Sequence, residues 1–485
     1  MTTSSSSPGL RGRTLRSFLL LGAQKVVSVV VTAAGGIALA RLLTPEVFGL
    51  YAILFFVITL AVRGSELGLG AALIQRRALD LRTGLTAAFT ATFALALGLG
   101  AVIAAAAPLV ARWPGVSGEV TGPVRWLALL VVLSSLRMPA MVLLERRLAY
   151  LPLTIAETAD TVMFNAVAIA AAVAGAGLWS FVLGALAARA ANLVVLWIAT
   201  RWRPSLSWNW DELAPVLKFG LLFQGSVLIS VAGDAVVPTF VTAWSGVAAV
   251  GYLNWAATIA FLPLQVVSIA GRVLFPALST LQAEPARFAE ATARALNRVT
   301  TILYPAAALL LAGADPVVRL VFGDAWAPAV PAVRCLCLTA MIGGTSTIFV
   351  HALYGLGRPD VVFRLNLASA VLLWVLTVAL VPWLGFVGFA VASAFLACAS
   401  VTYAALSLRR LVPLNLLSAV RVPLAASAVS AAVLAAFAGV WIHDLPSLLM
   451  GTAVAAGAYV AFARLIGGAA WRVEVIADWQ TVLQG

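Results

Sequence analysis

Charge is what this chain has little of. Only 10% of its 485 residues are Asp, Glu, Lys or Arg, against 63% hydrophobic, and the mean hydropathy is +1.05. No soluble domain of this size carries that balance, whereas an integral membrane protein with many spans does. Groups for chemistry are scarce too. The two histidines, His351 and His443, lie far apart, and of three cysteines Cys335 and Cys337 are two apart while Cys398 is remote. That spacing fits no usual zinc pattern, so no metal is expected and buried free thiols are the default reading. No Gly-Lys-Ser/Thr occurs, which removes ATP as the direct driver, and nothing suggests covalent catalysis or a cofactor. Acidic residues number 18 against 31 basic ones, a formal net charge of +13. Nucleic-acid binding is rejected, because the basic residues cluster at the ends of apolar runs, as membrane topology requires. The start, 1–16, is Ser-rich and then basic like a signal-peptide n-region. The run after it, 18–39, is too long for an h-region, holds Lys25 and has no clear cleavage site, so it reads as a first span.

What is there is a series of about fourteen apolar runs. They cover 18–39, 51–74, 85–110, 124–144, 153–173, 178–199, 217–241, 248–278, 299–321, 332–353, 361–381, 386–408, 422–441 and 448–463. With the N-terminus placed in the cytoplasm, 21 Lys and Arg fall in inner connections and 5 in outer ones. That bias predicts an even number of spans and cytoplasmic termini. Two connections are larger: 201–215, rich in Pro and Trp, and 284–298, which reads either as an amphipathic helix on the inner surface or as a plain connector. A weak internal repeat relates Gly22 to Gly220, Gly49-Leu50-Tyr51 to Gly251-Tyr252, and Gly177 and Phe181 to Gly385 and Phe389. Each half holds six spans, and an even number preserves sidedness. The expected fold is therefore an all-α integral membrane protein. It has two parallel, pseudo-symmetric six-helix lobes around a central cavity, plus two extra C-terminal helices. The lobes are placed at 1–203 and 217–410, with a linker at 204–216 and helices thirteen and fourteen with a cytoplasmic tail at 411–485.

The stretch 41–77 organises the rest. After the polar turn Thr44-Pro45-Glu46, a run long enough to cross ~30 Å of hydrocarbon carries Arg63 and Glu66 near its middle. Intramembrane charges face a protein interior or a wet cavity. Three residues apart, the two share a helical face and can neutralise each other.

Several segments resemble the oligosaccharide (Wzx-type, O-antigen and exopolysaccharide) flippases of the superfamily that also holds the multidrug and toxin extrusion carriers. They are ALARLLTPEVFGLYA (38–52), GSELGLGAALIQ (64–75), LPLQVVSIAGRVLFPALSTLQ (262–282) and ALYGLGRPD (352–360). Family members often show Asp where Glu66 stands. The resemblance implies that helices one, two, seven and eight line the cavity and that the substrate is a lipid-linked oligosaccharide drawn from membrane lipid. It also implies a bacterial inner-membrane location and work beside a polysaccharide polymerase and glycosyltransferases.

On that footing Arg63, Lys25 and Arg272 are candidates for the diphosphate, since a guanidinium fork suits phosphate oxygens; Arg272 can equally snorkel to the surface. Glu66 and Asp234 are candidates for ion coupling. Gln24, Gln224, Asn254 and Gln265 are candidates for sugar hydroxyls or for plain interhelical hydrogen bonds. Arg137, Glu157, Asp160 and Arg189 read as a structural set that pairs within the first lobe. The leading expectation is a flippase for a polyprenyl-diphosphate-linked oligosaccharide. The alternatives are a lipid II-type flippase of peptidoglycan synthesis, an ion-coupled multidrug exporter, whose cavity would be net acidic, and a non-transporting scaffold.

Overall fold

Prolines set where several helices begin. Pro45, Pro285 and Pro359 each occupy the first turn of a helix, where the missing N–H has no intrahelical partner to lose. The computed structural model describes residues 27–75, 81–112, 120–147, 149–210, 231–265, 278–413 and 416–484, with positions 213, 214, 217, 220, 224, 267 and 274 between them. Among these residues there is no strand. Eleven helices are long and apolar enough to cross a membrane, and two shorter apolar ones, Val27–Leu42 and Val247–Ala260, accompany them. The expected fourteen are not reached among the described residues, since parts of spans one, seven and eight fall outside them.

The chain divides into two compact units, Met1–Pro238 and Thr239–Gly485. The first contains α1 (Val27–Leu42), α2 (Pro45–Glu66), α3 (Leu69–Gln75), α4 (Leu81–Val110), α5 (Thr121–Leu127), α6 (Leu129–Arg146), α7 (Tyr150–Val173) and α8 (Leu178–Thr200). Its apolar interior is split. Leu54, Ile58, Leu127 and Val131 close one cluster, Leu69, Leu73, Leu85 and Val142 a second, and Ala140, Leu144, Ala156 and Leu196 a third. After α8, residues 201–209 are irregular, yet Trp202 packs edge-on to Phe89 and the Ser207 N–H donates to Thr90 Oγ1 at 3.0 Å.

The second unit contains α9 (Val247–Ala260), α10 (Pro285–Ala312), α11 (Val330–Gly355), α12 (Pro359–Leu384), α13 (Val387–Arg409), α14 (Leu416–Val440) and α15 (Leu445–Gln484). Phe288, Leu296 and Leu303 of α10 meet Ile348 and Leu353 of α11, Val362 of α12 and Leu408 of α13 in one cluster. The last two helices dock on α10: Asn297 Nδ2 donates to the Ala419 carbonyl and Tyr459 Oη to the Thr301 carbonyl, each at 2.9 Å. Lipid tails are as apolar as leucine, so packing and such bonds, about 0.6–1.7 kcal/mol each, hold these helices. Exposed Val102, Val173, Ile198 and Trp383 give the units the apolar outer surface that lipid requires.

Two of the paired positions have similar local geometry in the two units. Gly177 (φ +53°, ψ −123°) and Gly385 (φ +60°, ψ −151°) take the same left-handed backbone just ahead of α8 and α13. Tyr51 stacks on Phe181 at 4.5 Å, and Tyr252 stacks on Phe386 at 5.5 Å. The second pairing uses Phe386, three residues before the Phe389 that the spacing indicates.

Several boundaries differ from the sequence reading. The 284–298 segment is no separate surface helix but the first half of α10, with Phe288, Thr292 and Leu296 buried. Span nine ends at Ala312, and short helical turns at Ala314–Val317 and Val318–Phe322 follow. Span eight, expected as one run, turns at 261–263, where Pro263 disfavours a helical residue before it. Span two begins at Pro45 and breaks after Glu66. The expected tail is a continuation of α15 to Gln484. Cys337 is buried as expected, but Cys398 is exposed.

Candidate functional site

Two helical stripes face a cavity of about 620 Å³ within the first unit. On α2 the lining positions are Phe55, Ile58, Thr59, Val62, Arg63 and Glu66; on α6 they are Leu130, Ser134, Arg137, Met138, Met141, Val142 and Glu145. Both sets recur at intervals of three and four, one face of a helix each. Arg189 of α8 and Gln224 complete the polar lining. The volume falls in the ~300–1,000 Å³ range of ligand sites.

Arg63 and Glu66 occupy the last turn of α2. Their side chains pair at 3.4 Å (Nη1 to Oε2) and are about half exposed, at 50% and 42%. The next residue, Leu67, is left-handed at φ 49°, and Gly68 follows at φ +66°. A left-handed leucine costs roughly 1–2 kcal/mol, so tertiary contact must hold it. The contact is with Gly220: a Cβ built on Gly68 would overlap the Gly220 backbone, and one on Gly220 would overlap the Leu67 carbonyl. The break also ends the helix at Glu66, which leaves the last carbonyls of α2 in need of partners. Gln224, only 4% exposed, donates through Nε2 to the Arg63 carbonyl.

Arg189 is fixed by its helix. One turn later, Asn192 Nδ2 donates to the Ala156 carbonyl of α7 at 3.0 Å, and Trp197 Nε1 donates to the Leu136 carbonyl of α6 at 3.2 Å. The second bond ties α8 to the turn that carries Arg137, next to Pro139. Arg189 Nη1 stands 3.9 Å from Asp160 Oδ1, an ion pair too long for a hydrogen bond. Neither Asp160 Oδ1 nor Arg137 Nε has a hydrogen-bond partner among the described residues, though both atoms are buried. Arg137 lies within electrostatic reach of Arg189, Asp160, Glu66 and Glu157, and Glu66 within reach of all three arginines.

The structure thus gathers Arg63 and Glu66 with Arg137 and Arg189, which the sequence reading put in separate groups. It adds Glu145, which that reading passed over. Glu157 is exposed at its helix surface. Asp234 and Asn254 are exposed and outside this cavity, and Gln265 is half-buried on the second unit. Gln24, Lys25 and Arg272 lie outside the described residues. Three guanidinium groups from three helices, against Glu66 and Glu145, suit an anion with several acceptor oxygens.

Similarity to known proteins agrees with this fold. A family model described as polysaccharide biosynthesis protein matches residues 38–331, more than half the chain. The succinoglycan biosynthesis transport protein ExoT of Rhizobium meliloti is 26% identical over 334 residues, 69% of this chain and 67% of that protein. The lipopolysaccharide biosynthesis protein WzxC of Escherichia coli is 24% identical over 367 residues, 73% of each. Among solved structures, the lipid II flippase MurJ in an inward closed conformation aligns with a TM-score of 0.78 at 12% identity, covering 92% of this chain and 98% of that one. An inward-facing multidrug resistance MATE transporter aligns at 0.63 and 16% identity, covering 79% and 95%. These structural neighbours show a shared fold, and the sequence match establishes the family: the chain belongs to the polysaccharide biosynthesis protein family.

Proposed function

We propose that the chain is a flippase for a polyprenyl-diphosphate-linked oligosaccharide. It carries the head group from the inner to the outer leaflet of the bacterial cytoplasmic membrane for cell-surface polysaccharide synthesis. The observation that carries this reading is the first-unit cavity, where Arg63, Arg137 and Arg189 outnumber Glu66 and Glu145. An exporter of organic cations would want the opposite balance, and a scaffold has no use for charges that cost about 2.5–3.5 kcal/mol each when unpaired in a bilayer. The relatives named for succinoglycan and lipopolysaccharide synthesis favour surface polysaccharide over lipid II.

In this proposal the diphosphate binds Arg63 with Arg137 and Arg189, and Lys25 and Arg272 attract it. Glu66 neutralises Arg63 while the site is empty and yields it to the incoming phosphates. Glu66 and Asp234 are the carboxylates available for ion coupling, and Asn254 and Gln265 are available to sugars. Fourteen spans with both termini cytoplasmic, in two six-helix lobes, would provide alternating access. No covalent bond is made or broken. A polymerase and glycosyltransferases would work on either side of this step.

The test is transport in reconstituted vesicles of a polyprenyl-diphosphate disaccharide carrying a fluorophore, followed by quenching from one side. Arg63→Ala should slow flipping at least ~10-fold at equal protein content, because the bidentate phosphate contact is lost. Arg63→Lys should restore part of it, because a point charge lacks the fork. Wild-type rates with Arg63→Ala would place the head-group site elsewhere.

A further inference from the structure

Gln224 touches the backbone of the cavity's Arg63, not its side chain. Its amide Nε2 donates to the Arg63 carbonyl, one of the carbonyls left over where α2 breaks. Four residues earlier in the chain, Gly220 abuts the left-handed Leu67-Gly68 pair so closely that neither glycine has room for a side chain. The segment carrying 220 and 224 therefore meets the end of α2 at two points, one steric and one hydrogen-bonded. Between these points lie the backbone of Arg63 and the turn that ends in Glu66. Gln224 is buried, so water does not replace its amide if the bond is lost.

We infer that Gln224 is a positioning residue: with Gly220 it clasps the broken end of α2 and so fixes where the Arg63 fork and the Glu66 carboxylate project into the cavity. The inference rests on the functional reading only for its consequence, that an anion meets Arg63 in a set place; the clasp itself is a property of the first unit. Nothing else described at the break replaces the bond. Leu67 has no preference for its left-handed backbone, and the Arg63–Glu66 pair, at 3.4 Å and half exposed, is a loose local contact. Losing the amide should let the last turn of α2 unwind or rejoin α3, and move Arg63 while the rest of the unit stays folded.

The test needs no substrate. In a full-length chain with its three cysteines replaced by alanine, Arg63→Cys and, separately, Ser134→Cys on α6 report maleimide labelling rates. Adding Gln224→Leu should change the rate at 63 at least ~3-fold and leave the rate at 134 unchanged. Gln224→Glu should mimic Gln224→Leu at pH 8, where a carboxylate has no proton to donate. It should return toward the wild-type ratio of the two rates as the pH falls and the acid form donates an O–H. The charged groups facing that position are Glu66 of α2, Arg137 and Glu145 of α6 and Arg189 of α8, joined by Arg63 in the Ser134→Cys chain, so the unsubstituted Gln224 background of each chain is measured at each pH as the reference. An unchanged rate at 63, an equal change at 134, or no return at low pH would each overturn the clasp. A second arm measures undecaprenyl diphosphate binding. If the wild type binds none, the functional reading fails while the labelling result still decides the clasp. If the wild type binds, Gln224→Leu should weaken binding ~10-fold, and unchanged affinity would overturn the positioning role.

Discussion

The two units share a plan and differ in what fills it. Each sets a left-handed glycine before its α8 or α13 helix and stacks a tyrosine on an aromatic ring in or just ahead of that helix. Yet the offset of 208 that carries Gly177 to Gly385 also carries Arg189 to Ala397. The spans of the first unit hold Arg63, Glu66, Arg137, Glu157, Asp160 and Arg189 well inside their sequences. In the second unit α9 has no charged residue, and those of α12 and α13 stay near a helix end: Asp360, Arg364 and Arg409. The interiors follow suit. The second unit joins α10 to α13 through one apolar cluster, with two smaller ones beside its last two helices, whereas in the first unit three clusters flank a polar cavity. Charge thus sets the interior of the first unit apart from α9, α12 and α13 of the second.

The largest effect should come from the close approach at the break of α2. Gly220→Ala pushes a methyl group into the Leu67 carbonyl. It should destabilise the protein by about 3 kcal/mol or more, at the upper end of overpacking, seen as lost accumulation or a much lower melting temperature. Gly343→Ala on α11, where a new Cβ meets nothing within 4 Å, should change neither. Equal behaviour of the two variants would remove the helix-break contact from the account.

Transplanting charge breaks the comparison from the other side. Ala397 is 7% exposed, so Ala397→Arg, with no acidic residue on its own helix, should cost about 2.5–3.5 kcal/mol. Ala397→Met separates the effect of size. Arg189, at the matching place, stands beside Asp160. Removing either partner should cost about 2 kcal/mol, less than for a fully buried pair because both are partly exposed. Asp160→Ala should be the worse, since it strips Arg137 as well. The double change should be milder than that single one, and strictly additive melting temperatures would argue against a shared network.

The smallest effect lies at the start of α15. Ser447 N–H donates to Asp444 Oδ1 at 2.9 Å, while Ser447 Oγ accepts from the His443 and Asp444 N–H groups, a reciprocal cap. The Ser447 hydroxyl, then its backbone N–H, hold the Asp444 carboxyl below the usual carboxylate range. A depressed pKa contributes stability above the unfolded-state value, and that stability is lost as pH falls through the folded one. Asp444→Ala should therefore speed amide exchange in the first turn of α15 at pH 7, and the difference from wild type should shrink at lower pH.

Much of the fold was legible in the sequence because bilayer thickness, charge bias and hydropathy leave few choices for where a span can lie. The pairing of Gly177 with Gly385 was legible because both backbones need glycine. Segment 284–298 misled because its Arg and Glu pairs at intervals of three and four, such as Glu290 with Arg294, resemble a solvated surface helix; burial of Phe288 and Leu296 shows otherwise. Arg63 and Glu66 stood out by lying mid-span on one face. The joining of Arg137 and Arg189 to them depends on three helices packing sideways, which no local pattern encodes. Glu145 was masked by its neighbours Arg146 and Arg147, although it continues the α6 stripe of Arg137, Met138, Met141 and Val142. The break at Leu67 is imposed by Gly220, far along the chain.

The central claim is that the arginines of the first unit recognise a diphosphate, and ligand-induced stabilisation of the purified full-length chain tests it most directly. Undecaprenyl diphosphate should raise the melting temperature by an amount that grows with concentration, as mass action requires, while undecaprenol, which has the same tail and no phosphate, should not. The single variants Arg63→Ala, Arg137→Ala and Arg189→Ala should each lose most of that rise, and Ala397→Met should keep it. An undiminished rise in all three arginine variants, or an equal rise with undecaprenol, would contradict the claim.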